Sequence, residues 1–463
     1  MVANLDRRRL LAGMGAAAVA GTLGSRALAA EPTLPNIIFF MADDLGYADL
    51  SCTGSHHIRT PNIDRIAAMG IQLRQGYANS SICSPTRTGL LSGCYQQRFA
   101  VGLEEPIAAN APKDIGLPLE RPTIASVLRD QGYATHLVGK WHLGEPPLHG
   151  PLNHGYDTFL GIVEGAADYF RHHMVVGGHE VGMGLAEGND PLSRNGYLTD
   201  MFGDEVVRIV NDAGRKPFFV SLHFNAPHWP WEGREDAAAA RLIGNSQHHD
   251  GGNLAKYKEM VEAMDDNVGK VIAALEQTDQ IGNTILVFTS DNGGERFSET
   301  WPFTGVKGEL LEGGIRVPIL ASWPGRIPAA SHSEQVMISM DFLPTLLTMA
   351  GGSVAAAGAF DGIDLSAQLA GSAPLVERIL YWRFKANEQA AIREGDWKYL
   401  KLGGKEHLFD LSQDERERAD LVAKFPEKFD ELKRKWDAWN AQMLPYRVDG
   451  FSESVTKSYA DRY

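Results

Sequence analysis

Two apolar stretches of the chain run directly into carboxylates. NIIFFMA (Asn36–Ala42) leads into Asp43-Asp44-Leu45-Gly46, and TILVFTS (Thr284–Ser290) leads into Asp291-Asn292-Gly293-Gly294. Short apolar runs rich in β-branched and aromatic residues read as buried strands, and strand ends are where an α/β sheet presents its loops to ligands. Three carboxylates and an amide oxygen are hard donors, suited to Ca²⁺ or Mg²⁺ rather than to zinc. Without a cation they would repel one another. Either pair alone is ordinary turn or helix-cap chemistry; two such strand ends in one chain point to a metal. A third segment, Ser81-Ile82-Cys83-Ser84-Pro85-Thr86-Arg87, puts Pro85 in a first helical turn. Cys83 then lies near a helix N-terminus, where backbone N–H groups favour anions, with Arg87 one turn later on the same side. A buried structural cysteine at a helix start would share these features.

Cys83-x-Pro85-x-Arg87 followed by Leu91-Ser92-Gly93 closely resembles the signature of the sulfatases, the formylglycine-dependent, arylsulfatase-like branch of the alkaline phosphatase superfamily. The resemblance runs from Asn36 to the C-terminal lobe. Gly139-Lys140-Trp141-His142-Leu143-Gly144 resembles the family's Lys-x-His element, Asn225-Ala226-Pro227-His228 its second active-site histidine, and Lys307 in TGVKGELLEGGIRVP its second sulfate-binding lysine. One position departs: Cys94 stands where the family commonly carries arginine.

That resemblance implies a hydrolase of aryl or carbohydrate sulfate esters, small or oligomeric. In such enzymes a maturation enzyme oxidises the signature cysteine, here Cys83, to formylglycine (3-oxoalanine), whose hydrated aldehyde is the nucleophile. One Ca²⁺ would be held by Asp43, Asp44, Asp291 and Asn292, with the modified Cys83 as a further ligand. Lys140 and Lys307 would clamp the sulfate and Arg87 would orient the nucleophile. His228 would protonate the leaving oxygen, and His142 would take the proton whose loss expels sulfate. Two other readings stay open: a phosphonate or phosphate diester hydrolase built on the same site, and a non-catalytic Ca²⁺-dependent binder of sulfated ligands if Cys83 is never converted.

The elements that must position these residues alternate. Asn36–Ala42, Tyr133–Val138, Pro217–Phe224 and Thr284–Ser290 read as strands, and Pro61–Met69, Arg121–Gln131 and Leu254–Gln277 as helices. Alternation of this kind predicts an α/β fold, a large, mostly parallel sheet flanked by helices. After about residue 370 the texture changes to short meander-type strands, ILYWRF, WKYLKL and HLFDL, then a charged helix near Pro426–Gln442. The expected organisation is a signal segment at 1–29, a catalytic domain at 30–370 and a smaller C-terminal α+β lobe at 371–463. Trp229, Trp231 and Trp301 lie near the site segments and serve either as core or as stacking surfaces for a ring. The His172-His173 pair suits a solvated loop or a substrate contact.

Residues 6–30, DRRRLLAGMGAAAVAGTLGSRALAA, combine three consecutive arginines, a mild apolar run, Arg26 and the small-residue site Ala27-Leu28-Ala29. This reads as an export signal of twin-arginine type, predicting passage through the export machinery to a periplasmic or secreted location. The 463 residues carry Lys+Arg 44 against Asp+Glu 58, a net charge of −14. A field of that sign opposes nucleic acid and anionic lipid at long range, so no nucleic-acid partner is expected. No membrane association is expected once the signal is removed, since no later stretch has the roughly 20 apolar residues of a spanning helix. Cys52, Cys83 and Cys94 are the three cysteines; conversion of Cys83 would leave two, and spacing does not decide whether they bridge.

Overall fold

The computed structural model describes residues 34–109, 111–247 and 251–447. The expected signal segment lies outside the described residues. Ten strands form the main sheet: β1 (Asn36–Ala42), β2 (Ile71–Leu73), β3 (Ala134–Gly139), β4 (Thr158–Ile162), β5 (Leu185–Glu187), β6 (Asp190–Pro191), β7 (Phe218–His223), β8 (Thr284–Ser290), β9 (Ile319–Ser322) and β10 (Ser331–Ser333), in spatial order β10-β2-β9-β8-β1-β7-β3-β4-β5-β6. The five central strands, β8-β1-β7-β3-β4, are parallel. β9 and β5 flank them antiparallel, β2 pairs antiparallel with β9 and β6 with β5, and β10 closes the other edge parallel to β2.

β1 shows why this sheet is covered on both faces. Its seven residues are all buried, and successive side chains point to opposite faces. Ile38, Phe40 and Ala42 join one core with α1 (Pro61–Met69), α4 (Leu198–Asp212) and α5 (Leu254–Gln277). Ile37, Phe39 and Met41 join the other, which contains residues of α2 (Cys83–Ser92), α3 (Ile124–Asp130) and α6 (Phe342–Met349). Full burial of each such side chain contributes about 1.5–3 kcal/mol. α5 begins where Asn253 accepts a hydrogen bond from Lys256 N, a side-chain N-cap.

Beyond the main sheet, β11 (Ile379–Phe384), β12 (Gln389–Glu394), β13 (Trp397–Leu402) and β14 (Lys405–Asp410) form an antiparallel meander, followed by α7 (Pro426–Asn440). A third core ties this lobe to the start of α2: Tyr77, Ile82 and Cys83 pack in one cluster with Leu380, Trp382, Phe384 and Trp439. Buried charges cross the same seam, with Lys398 Nζ 2.8 Å from both Glu312 and Glu417.

Candidate active site

Each site residue leaves the carboxyl end of a central strand or the start of α2. Asp43 and Asp44 follow β1, Asp291 and Asn292 follow β8, Lys140 and His142 follow β3, and His228 follows β7. Gly139 has φ +109, and a Cβ there would meet His223 O at 1.8 Å, so only glycine lets the chain turn from β3 into Lys140. Asp44 (φ 66) and His142 (φ 56) both take the left-handed backbone conformation, which is sparsely populated for non-glycine residues and costs of order 1–3 kcal/mol. The cost is borne where two side chains must face the cleft.

The four proposed metal ligands meet in a fully buried nest. Asp43 Oδ2 accepts from Lys140 Nζ at 2.6 Å, and Asp44 Oδ2 accepts from Lys307 Nζ at 2.6 Å. Asn292 Nδ2 donates to Asp44 Oδ1 at 2.7 Å, and Arg87 donates to Asp291 Oδ2 through Nε at 3.2 Å and Nη2 at 2.8 Å. Two oxygens remain without a hydrogen-bond partner, Asp43 Oδ1 and Asn292 Oδ1. Orphaned buried acceptors of this kind are costly. Burial, then the neighbouring Asp291, pushes the Asp43 carboxyl well above its ordinary range. Asp291 is held below its ordinary value even though burial opposes it, because Arg87 and Lys140 outweigh burial. Ligand atoms of Asp43, Cys83 and Asp291 lie within 4.8 Å of one another, as do those of Asp43, Asp44 and His228. An all-oxygen donor set with unused acceptors fits a hard dication.

Cys83 is the first residue of α2 and is 2% exposed. Burial pushes its thiol up to about 11, opposed by Lys140 and Lys307. As an unmodified thiol it is therefore not a thiolate near neutral pH. It forms the floor of a slot of about 20 Å³ bounded by Ile107, His142, Met174, His228, Trp229 and Lys307. That is room for a water or two.

The histidines are fixed by backbone carbonyls. His228 Nδ1 lies 2.7 Å from Trp229 O, an acceptor, so Nδ1 carries the hydrogen and Nε2, 3.6 Å from Asp44 Oδ2, faces the site. His142 is turned the other way: Nε2 donates to Ile107 O at 3.0 Å, leaving Nδ1 buried and unpartnered. Both are held well below the ordinary imidazole range, His228 by burial, Lys307 and Lys140, and His142 by burial and Lys140.

Every site residue named from sequence thus falls in this one region. Several supporting residues were not anticipated. His223, at the end of β7, lies 3.4 Å from Arg87 Nη1 and 3.3 Å from Lys140 O, and burial with Arg87 pushes it to about 3, hence neutral. Its only sequence signal was a polar residue closing an apolar strand. Tyr169 Oη donates to Asn225 O at 2.8 Å and His228 O at 2.9 Å, bracing the His228 turn. Gln389 of the C-terminal lobe accepts from Leu310 N and donates to Gly308 O, both at 2.8 Å, bracing the Lys307 loop. All three cysteines are free. Of the histidine pair, His172 is buried and bonded to Gly196 O rather than turned to the cleft.

A buried carboxylate nest beside a nucleophile position, two lysines and two histidines, at the carboxyl end of a parallel sheet, is the equipment of a hydrolase of tetrahedral anionic esters. The sulfatase family model matches residues 35–353. N-acetylgalactosamine-6-sulfatase of Sus scrofa is 34% identical over 391 residues, 79% of this chain and 72% of that one. Arylsulfatase J of Mus musculus is 28% identical, covering 92% of this chain and 78% of the relative. Among solved structures, Ps i-CgsB in complex with k-i-k-neocarrahexaose superposes with a TM-score of 0.81 at 30% identity, covering 91% of this chain and 96% of the other. The chain belongs to the sulfatase family and is a sulfuric ester hydrolase.

Proposed function

We propose that the enzyme cleaves carbohydrate or aryl sulfate esters to an alcohol and inorganic sulfate, using formylglycine made from Cys83 beside one calcium-type dication held by Asp43, Asp44, Asp291 and Asn292. The observation that carries this reading is the convergence of Cys83, Lys307, His142 and His228 on one slot, with Lys140 held against Asp43 at 2.6 Å, next to two orphaned oxygens, Asp43 Oδ1 and Asn292 Oδ1. When present, the hydrated aldehyde supplies an oxygen nucleophile and the dication draws charge from the sulfonyl oxygens.

The chain's own residues do the rest. Lys140 and Lys307, already converging on the nest through Asp43 and Asp44, bind the sulfate oxygens and stabilise the charge that grows on them. Arg87 balances negative charge at position 83 while it fixes Asp291. His228 Nε2, the ring atom facing the cleft, carries the proton for the departing oxygen. Burial, then Lys307 and Lys140, holds this imidazole below its ordinary range, and a sulfate anion between the lysines offsets their share of that effect. His142 Nδ1, with no other partner, accepts the proton from position 83 that releases sulfate. The names of the pig relative and of the Ps i-CgsB complex support a sugar rather than a simple aryl group as the physiological alcohol.

We further propose export by the twin-arginine route to a periplasmic or secreted location, after the action of a formylglycine-generating enzyme. Intact-mass analysis of protein from its host should show Cys83 converted, and Cys83→Ala should abolish turnover of 4-nitrophenyl sulfate. Full activity with an unaltered thiol, or a large preference for an aryl phosphonate, would overturn the reading.

A further inference from the structure

A second hollow, of about 280 Å³, opens on the same edge of the sheet as the catalytic slot. Its walls are the segments that follow the carboxyl ends of β1, β7 and β8, contributing His56 and His57, Leu254 at the start of α5, and Phe297, Glu299 and Trp301 respectively. Trp301 is 59% exposed, with one face of its ring against Arg416 at 4.7 Å.

Two features join the hollow to the reaction centre. Trp301 and the sulfate-facing Lys307 belong to one loop, six residues apart. Apolar contacts also bridge the two: Trp231 packs against the cluster of Ala166, Met174 and Trp229 at the slot and meets Phe297 edge-on at 4.8 Å, and Phe297 lines the hollow.

We propose that this hollow binds a neutral sugar ring of an oligosaccharide whose sulfated unit occupies the catalytic slot. The inference rests on the carbohydrate-sulfatase reading above and deepens it from sulfated sugars in general to extended chains. The chemistry selects that ligand. No lysine or arginine lines the hollow, whose walls carry the acidic Asp49 and Glu299; the nearby Arg416 is stacked on Trp301 at 4.7 Å, so a second sulfate meets more acid than base there. An open indole offers a stacking face for the C–H side of a pyranose, while His56, His57 and Glu299 offer hydrogen bonds to its hydroxyls. A wholly apolar partner would desolvate those polar groups without replacing their water. The volume lies near the lower bound for small-ligand sites, which suits a single ring.

The test compares Trp301→Ala and His57→Ala with the wild type, all matured and calcium-loaded. Substrates are 4-nitrophenyl sulfate, a monosaccharide sulfate, and di-, tetra- and hexasaccharides of sulfated galactan and sulfated hexosaminoglycan type. In the wild type, kcat/KM is expected to rise with chain length on at least one series. In Trp301→Ala that gain should fall about five- to tenfold, mostly through KM, and less in His57→Ala. Turnover of the two smallest substrates, too short to reach the hollow, should be unchanged, which also shows that the variants fold. Wild-type rates independent of length on both series, or a length gain that survives Trp301→Ala, would overturn the proposal. A wild type inert on every sulfate ester would instead refute the underlying enzymatic reading.

Discussion

At position 228 the bond from Nδ1–H to the Trp229 carbonyl leaves Nε2 as the ring atom able to pass a proton into the cleft. Removing it should matter in proportion to how badly the leaving oxygen needs that proton. His228→Ala is expected to lower kcat/KM by about 10²–10⁴ on a sugar sulfate and far less on 4-nitrophenyl sulfate, whose phenolate leaves unaided; equal losses on both would remove His228 as the acid. Asn292 offers a second residue-scale test. Its Oδ1 has no partner, so Ca²⁺ should raise the thermal midpoint of the wild type and chelation should lower it. Asn292→Ala should blunt that Ca²⁺ response in calorimetry, a readout independent of turnover. Much of this site was legible because its residues cluster in short motifs at strand ends. His223 and Tyr169 were not, since a lone histidine in an apolar strand and a buried tyrosine look the same whether they brace a catalytic turn or merely fill a core.

Elements show the same division. β1, β8 and α5 coincide in range with the sequence reading because each is a long, strongly patterned segment with a clear boundary. The Arg121–Gln131 reading contracts to Ile124–Asp130. There Thr123 accepts from Ser126 N and Ser126 Oγ accepts from Thr123 N, a reciprocal cap that starts the helix after Pro122. The short antiparallel strands β2, β5 and β9 were not read at all, for three or four residues carry too little pattern and are defined by their neighbours in the sheet. Gln389 makes the cost of that blindness concrete: nothing in β12 announces that its first residue holds the Lys307 loop through two 2.8 Å bonds. Gln389→Ala should raise KM about three- to tenfold while touching kcat less, measurable by steady-state kinetics on a small aryl sulfate.

For the whole molecule, buried acids set the pH response. Burial and the facing Asp168 push Glu232 up to about 9, and Asp168 itself is raised by burial. Glu232 Oε2 accepts from Tyr169 N, so the pair sits behind the tyrosine that braces His228. A folded-state value above the ordinary 4.5 means the native state keeps a proton the unfolded chain releases. Stability from that proton is complete below about pH 4.5 and drains away as pH climbs toward 9. Glu232→Gln should therefore flatten the decline of the melting temperature between about pH 6 and 9; a decline as steep as the wild type's would refute a proton-sharing pair.

The seam between the lobe and the main sheet also constrains anyone who recombines these enzymes. Since Gln389 grips the segment bearing one sulfate-facing lysine, and Trp382 Nε1 donates to Ala78 O just ahead of the nucleophile motif, a chimera that borrows its tail from a relative inherits foreign handholds on both. Crossover points for grafting are better set so that residues 300–320 and the meander travel as one cassette, leaving the parallel strands as the interchangeable chassis.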